Sequence, residues 1–480
     1  MTPDTPNAPP PSDAAALRAV FERQGPRALA LRQSTPAQRI AKIRRLRDAV
    51  LAHQAEIYAA AHADFQKPPG EVDMAEILPV CLEANDAMRH LARWMRPRRV
   101  RPTLLALGTR AWVQPVPRGR CLILSPWNYP LNLTFGPLVS AIAAGNTVML
   151  KPSEMTPHLS AVMARIVRAC FDADEVALVE GDASVATALL DLPFNHIFFT
   201  GSPAVGKLVM AAAARHLASV TLELGGKSPA IVDASADVAL AAQNILWAKL
   251  ANAGQTCIAP DHVYVHASVQ AQWLAQCQAL LDQAYGRGAA QQDSPHLARI
   301  VNARHTARLQ ALLQDAQARG AHTLAGGAVD APAHYVAPTL LGQVPADARI
   351  MTEEIFGPLL PIVVFDDLGT VIDQVNAGPH PLALYLYSQD EAAIQRVLQH
   401  TQSGGVCINH ALLQFLHGHL PFGGVNNSGL GQSHGRHGFT AFSHEKAVLR
   451  SQTRLATWLF RPGAVPAPLR RVLQWAFTRL

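Results

Sequence analysis

Cysteine is scarce, with six residues in a chain of 480. None forms a Cys-x-x-Cys pair and the spacing is irregular, which argues against a disulfide framework and a structural zinc. The compartment this implies is a reducing one. Aromatic residues make up only 6% and no nucleic-acid-binding motif is present. The formal net charge of +6 therefore favours anionic small molecules over DNA or RNA. No uninterrupted apolar run is long enough to span a bilayer. No basic segment followed by an apolar stretch opens the chain. The expectation is a cytoplasmic protein. Charged residues are also few, 16% against 49% hydrophobic, so the chain can bury a large core in more than one domain.

Residues 1–12 carry five prolines and are expected to be disordered. Thr35-Pro36 reads as a helix start, with Thr35 as N-cap and Pro36 at the first helical position. Helices then run to about Trp94. The basic run Arg39 to Arg47 has apolar residues at helical spacing and reads as a solvated helix face. Arg96 to Arg101 reads as an exposed connector. Beyond it, short apolar runs at Cys121-Leu122-Ile123-Leu124, Thr147-Val148-Met149-Leu150, His196-Ile197-Phe198-Phe199-Thr200 and Val220-Thr221-Leu222 alternate with helical segments. That alternation predicts a parallel α/β sheet covered on both faces. A second α/β block begins near Leu224. It has a helix over about 237–250 and strands at Val263-Tyr264-Val265 and Pro361 to Phe365. No repeat or long linker separates the blocks, so a cleft between packed domains is expected, a usual place for a ligand. Over 469–480 apolar and polar residues segregate into an amphipathic helix with a basic face. It reads as docked on its own fold or on a partner subunit, with membrane-surface contact as the second reading.

Gly201-Ser202-Pro203-Ala204-Val205-Gly206 follows a predicted strand and opens a helix, where free N–H groups can meet a pyrophosphate. Lys151 and Glu154, at the end of another strand, can hydrogen-bond ribose hydroxyls. On spacing alone, a plain strand-to-helix turn and ordinary surface charges are the preferred readings. Cys257 lies in Asn252-Ala253-Gly254-Gln255-Thr256-Cys257, a polar stretch that suits an exposed reactive loop. A thiol there must be activated to attack a carbonyl at neutral pH. The attack creates an oxyanion, for which the Asn128 amide and the Cys257 backbone N–H are candidate donors. Glu223, on Leu224-Gly225-Gly226, is a candidate general base.

These segments resemble the aldehyde dehydrogenase superfamily. Pro126-Trp127-Asn128-Tyr129-Pro130, Lys151-Pro152-Ser153-Glu154, Thr200-Gly201-Ser202, Glu223-Leu224-Gly225-Gly226-Lys227, Gly254-Gln255-Thr256-Cys257, Glu353-Glu354-Ile355-Phe356-Gly357-Pro358 and Pro421-Phe422-Gly423-Gly424 occur in the family's order. The resemblance covers roughly residues 15 to 450. Leu382 to Ser388 and Phe442-Ser443-His444 resemble the class 3 branch, which includes fatty, aromatic and coniferyl aldehyde dehydrogenases. The resemblance implies an α/β fold: a Rossmann-like dinucleotide-binding domain (13–99 and 118–223), an α/β catalytic domain (224–410), a small β oligomerisation arm (100–117 and 411–450) and a tail (451–480). It implies catalysis by Cys257, Glu223 and Asn128. Cofactor contacts are implied for Lys151, Ser153, Glu154, Thr200, Gly201, Ser202, Val205, Leu224, Gly225, Glu354 and Phe356. It further implies an aldehyde pocket that includes Tyr129, Trp247 and Thr256, a homodimer, no metal, and NAD as the first choice with NADP accepted. Asn426 and His410 depart from the family's usual glycine and aspartate, and the pocket wall over 411–419 is of variable type. His417 and His419 lack further metal ligands at sensible spacing. A CoA-acylating enzyme and a catalytically silent membrane- or partner-binding scaffold are the competing readings. Glu223 argues against the first, and the intact set of Cys257, Glu223 and Asn128 against the second.

Overall fold

A computed structural model describes residues 13–103, 106, 108–452 and 465–477. The proline-rich residues 1–12, the stretch 453–464 and the end of the tail lie outside them. The first helix, Ala14–Leu31, is capped by Asp13, whose side chain accepts from Ala16 N at 2.7 Å. Thr35 and Gln38 cap Pro36–Ala52 reciprocally, as the Thr-Pro start predicts.

The first sheet runs in the spatial order Gly429–Leu430, Ser219–Glu223, His196–Thr200, Arg120–Leu124, Thr147–Lys151, Val176–Leu178. Every pairing is parallel except that of Gly429–Leu430. Strand side chains alternate between two cores, as a period of two requires. Cys121, Ile123, Val148 and Leu150 pack with the helices Pro36–Ala52, Leu78–Trp94, Pro130–Ala144 and Pro157–Cys170. Leu122, Leu124, Met149 and Phe199 pack with Ala14–Leu31, Ala183–Leu190 and Pro203–Ala214 on the other face. From Arg120–Leu124 the chain lays strands outward to Val176–Leu178, then returns to the opposite side with His196–Thr200. Strand order reverses there, so the C-terminal ends of Arg120–Leu124 and His196–Thr200 flank a crevice of the kind that takes ligands in open α/β sheets.

The chain then crosses at Gly225 and Gly226 into a seven-stranded sheet. Its order is His322–Ala325, Thr339–Gly342, Leu359–Phe365, His262–His266, Pro229–Val232, Ala383–Tyr387, Gly405–Ile408. Only the edge strand His322–Ala325 pairs antiparallel. A third, antiparallel sheet joins Arg98–Val100, Thr109–Pro117 and Ser443–Ser451, in continuous register from Ser443 opposite Pro117 to Ser451 opposite Thr109.

Two local expectations need correction. Arg39 is not on a solvated face. It is buried, and it donates to the Ala143 carbonyl at 2.9 Å and the Leu31 carbonyl at 3.3 Å. Part of the 96–101 connector is the edge strand Arg98–Val100. The described tail forms the helix Ala467–Phe477, with Val472 and Trp475 exposed. Among the described residues no helix is long and apolar enough to cross a membrane.

Candidate active site

The loop after strand Arg120–Leu124 carries Asn128, only 3% exposed, just ahead of helix Pro130–Ala144. Its Nδ2 donates to the Gln255 carbonyl at 3.0 Å, which ties the loop to the turn in front of Cys257. That turn follows helix Val238–Leu250. Asn252, Ala253 and Gly254 take positive φ of 54°, 52° and 77°. Two of these are non-glycine residues in a disfavoured region, so the surroundings must hold them. Asn252 N donates to Glu71 Oε1 at 2.7 Å, and Asn252 Nδ2 to the Asn128 carbonyl at 2.7 Å. Gln255 Nε2 donates to the carbonyls of Asn252 and Arg299, while its Oε1 accepts from Val301 N. Asn252 and Gln255 are fully buried. The polar stretch is therefore not the exposed, flexible loop its composition suggests, because its amides are spent holding backbone. Gly254 is the one position there where space also decides: a Cβ would overlap the Gly357 carbonyl and lie 2.9 Å from Lys249 O.

Cys257 is half-buried where two cavities meet. The larger, about 660 Å³, is walled by Tyr129, Leu133, Trp247, Leu250, Thr256, Ile258, Leu412 and Phe415. Tyr129 Oη and Thr256 Oγ1 hydrogen-bond at 2.6 Å, and Trp247 stands 49% exposed with its ring edge-on to His410. The smaller cavity, about 60 Å³, is lined by Thr200, Glu223, Phe422, Ser433 and Phe442 among others. Glu223 ends the strand Ser219–Glu223. Its Oε1 accepts from Ser433 Oγ at 3.0 Å, while its Oε2 has no hydrogen-bond partner among the described residues. Burial pushes the Glu223 carboxyl up to about 8, with the Ser433 hydroxyl opposing the shift. Burial also pushes the Cys257 thiol up to about 12, and the nearby carboxylates Glu354 and Glu223 add to the rise.

The switch-point crevice opens beside this pair. Lys151 ends its strand and donates to Glu154 Oε2 at 2.9 Å and to Pro152 O at 3.1 Å. Ser153 is buried in the same turn, its Oγ accepting from Met155 N. Across the crevice, Ser202 caps helix Pro203–Ala214 by accepting from Val205 N. Thr200 Oγ1 is buried and finds no partner among the described residues. Gly201 and Gly225 are packed against neighbouring side chains: a Cβ would run into the Phe199 ring at Gly201 and the Glu354 carboxyl at Gly225. Leu224 is buried, and its Cδ2 would lie 2.7 Å from a Cβ on Gly206. Glu354 is raised to about 7 by burial and by Asp261. Phe356 sits at φ 49° with its ring 5.3 Å from that of Trp127.

The site also has residues that motif reading does not single out. Lys227 pairs with Asp261 and donates to the Ile350 and Glu353 carbonyls at 2.8 and 3.0 Å. Asp261 Oδ1 accepts from Ile355 N at 2.8 Å, and Arg308 donates to the Glu354 and Ile355 carbonyls. Together they hold the Glu354–Phe356 turn. Lys227 lies inside the Glu223 to Lys227 motif and Asp261 follows Cys257 by four positions, so the sequence carries a usable signal for both. Ser433 and Arg308 have none. Among the described residues no group of three or more His, Cys, Asp or Glu could hold a metal ion.

A switch-point crevice, a thiol and a buried carboxyl thus meet at an apolar cavity, and comparison with known proteins gives the class. Residues 10–448 match the aldehyde dehydrogenase family, and the chain belongs to it as an oxidoreductase acting on aldehydes. Its likeness is to the class 3 branch. It is 39% identical over 411 residues to aldehyde dehydrogenase family 3 member A2 of Pongo abelii, covering 86% of this chain and 83% of that protein. It is 39% identical to 4,4'-diaponeurosporen-aldehyde dehydrogenase of Staphylococcus aureus, covering 88% of this chain and 91% of the relative. The solved substrate-bound state of Staphylococcus aureus AldH superposes with TM-score 0.90 at 37% identity, covering 96% of this chain and 99% of that one.

Proposed function

We propose that the chain oxidises an apolar or aromatic aldehyde to the carboxylic acid with NAD, and with NADP as a second cofactor. The observation that carries this is the position of Cys257, shared between an apolar cavity and the small cavity that holds Glu223. The orphaned Thr200 Oγ1 and the start of helix Pro203–Ala214 at the C-terminal end of strand His196–Thr200 fit a dinucleotide. Lys151 and Glu154 would hold its adenosine ribose, with Ser153 in the same turn. Gly201, Ser202 and Val205 would lie along the pyrophosphate, and Leu224, Gly225, Glu354 and Phe356 would border the nicotinamide end. The cofactor, when bound, supplies the hydride acceptor.

Cys257 Sγ attacks the aldehyde carbon. A C–S bond forms and the carbonyl π pair moves to oxygen, where the Asn128 amide and the Cys257 N–H donate to it. With its thiol at about 12, Cys257 must give up its proton to solvent water as it attacks, which leaves the Glu223 carboxylate free for the later hydrolysis. Loss of hydride leaves a thioester on Cys257. Glu223 then takes a proton from water, the hydroxide adds to the acyl carbon, and the C–S bond breaks to release the acid and the thiolate.

The apolar wall from Trp247 to Phe415 supports an apolar or aromatic chain. A homodimer joined at the exposed three-stranded sheet and a cytoplasmic location complete the proposal, with the exposed tail helix docking on the fold, on the second subunit or at a membrane surface. A water-activating carboxyl beside the thiol speaks against transfer to CoA, and the intact triad against a silent scaffold. A panel of aliphatic and aromatic aldehydes, each with NAD and with NADP, tests the proposal. The expected result is kcat/KM rising with chain length or ring size. Preference for short, charged semialdehydes would overturn it.

A further inference from the structure

The segment from Lys67 to Glu76 packs against the Asn128 loop and holds buried charges that the chemistry above does not use. Lys67 and Glu76 have fully buried side chains, with Nζ and Oε1 3.1 Å apart. Lys67 Nζ also donates to the Asn128 carbonyl at 3.3 Å, and it lies 4.6 Å from the centre of the Tyr129 ring and 4.8 Å from that of Phe65. The same Asn128 carbonyl takes the Asn252 amide at 2.7 Å. Glu76 Oε2 accepts from Asn132 N at 3.1 Å, in the first turn of the helix that follows Asn128. Glu71, from the same segment, accepts from Asn252 N. Glu76 is carried on a π-helical turn, Asp73–Ile77, inserted ahead of helix Leu78–Trp94. Such insertions re-aim side chains and cluster at functional sites.

A buried ion pair is weak evidence for stability, because desolvation offsets most of the attraction and an apolar pair of similar volume often serves as well. What this pair supplies is directional. Lys67 grips the Asn128 carbonyl from one side and Asn252 from the other. The Asn128 side chain points away to the Gln255 carbonyl, one N–H engaged and one left over.

We propose that Lys67 and Glu76 are positioning residues for the oxyanion hole, clamping the Asn128 main chain against the Asn252–Cys257 turn so that the Asn128 amide meets the oxyanion formed at Cys257. This rests on the assignment of Cys257 and Asn128 above, and Asn128→Ala alone tests that assignment: unchanged turnover in that variant would remove the oxyanion role itself.

The test of the clamp is a double-mutant cycle. Lys67→Met with Glu76→Gln keeps both volumes and an acceptor oxygen for Asn132 N. In the full-length enzyme it should leave the melting temperature within a few degrees of wild type and the NAD dissociation constant unchanged. Its kcat with a saturating apolar aldehyde should fall about tenfold or more, because a donor displaced from the developing charge loses most of its value. On the Asn128→Ala background the same pair should cause no further loss. Wild-type kcat in the folded pair variant, or an equal loss with and without the Asn128 amide, overturns the proposal. If the pair variant does not fold, Lys67→Gln with Glu76 intact goes through the same cycle and is judged by the same two outcomes.

Discussion

Replacing Glu223 by Gln alters little but the ability to accept a proton. The Gln Oε1 can keep the 3.0 Å hydrogen bond from Ser433 Oγ, and its amide group takes the place of Oε2, which has no partner among the described residues. The carboxyl titrates at about 8, so at pH 7 it is only about one-tenth ionised. The neutral amide therefore matches the charge of the predominant wild-type form, and no loss of stability is expected. Removing a general base costs about 10²- to 10⁴-fold in the step it serves. Thioester hydrolysis should then become rate-limiting. In a rapid-mixing experiment with saturating NAD and an apolar aldehyde, NADH absorbance should rise in a burst of up to about one equivalent per Cys257, then continue at a rate reduced at least about a hundredfold. A linear trace at wild-type rate would refute the assignment of Glu223 to hydrolysis. Loss of the burst as well as of turnover would mean that Glu223 is needed chiefly at the earlier attack.

Three further outcomes are expected. With Glu223 as the proposed base of hydrolysis, its carboxylate is the active form, so kcat should rise with pH through about 8; Glu223→Gln should flatten that limb, and a wild-type kcat profile that is level from pH 6 to 9 would contradict it. Gly254→Ala places a methyl against the Gly357 carbonyl at φ 77°, so thermal unfolding should show a loss of about 3 kcal/mol or more; a melting temperature within a degree of wild type would contradict the tight approach. Glu154 is half-exposed beside Lys151. Its charge should repel a 2′-phosphate by about 1 kcal/mol, so Glu154→Ser should raise the NADP to NAD ratio of kcat/KM roughly fivefold, and an unchanged ratio would place the 2′ position elsewhere.

How much of this is legible in the sequence depends on the range of the interactions. The strands at 121–124, 147–150 and 196–200 declare themselves by local apolar runs, and the Thr35 cap by its neighbours. Cys257, Glu223 and Asn128 are legible because each sits in a dense local motif. Arg39 looks like any charge on a basic helix; only its distant acceptor at Ala143 explains its burial. Asn252 and Gln255 look like solvent-facing polar residues because nothing local says that their amides are used inward. Lys67, Glu76, Ser433 and Arg308 share that obscurity. Their partners lie 9 to 210 positions away, and a lysine or serine on its own carries no sign of what it will meet.

The central claim is that the acyl group is carried on one sulfur. The direct measurement is mass spectrometry of Glu223→Gln enzyme, quenched in acid just after the NADH burst with an apolar aldehyde. The account predicts one acyl adduct per chain, located on Cys257 and absent when NAD is omitted. An unmodified Cys257 during the burst, or an adduct on another residue, would contradict it.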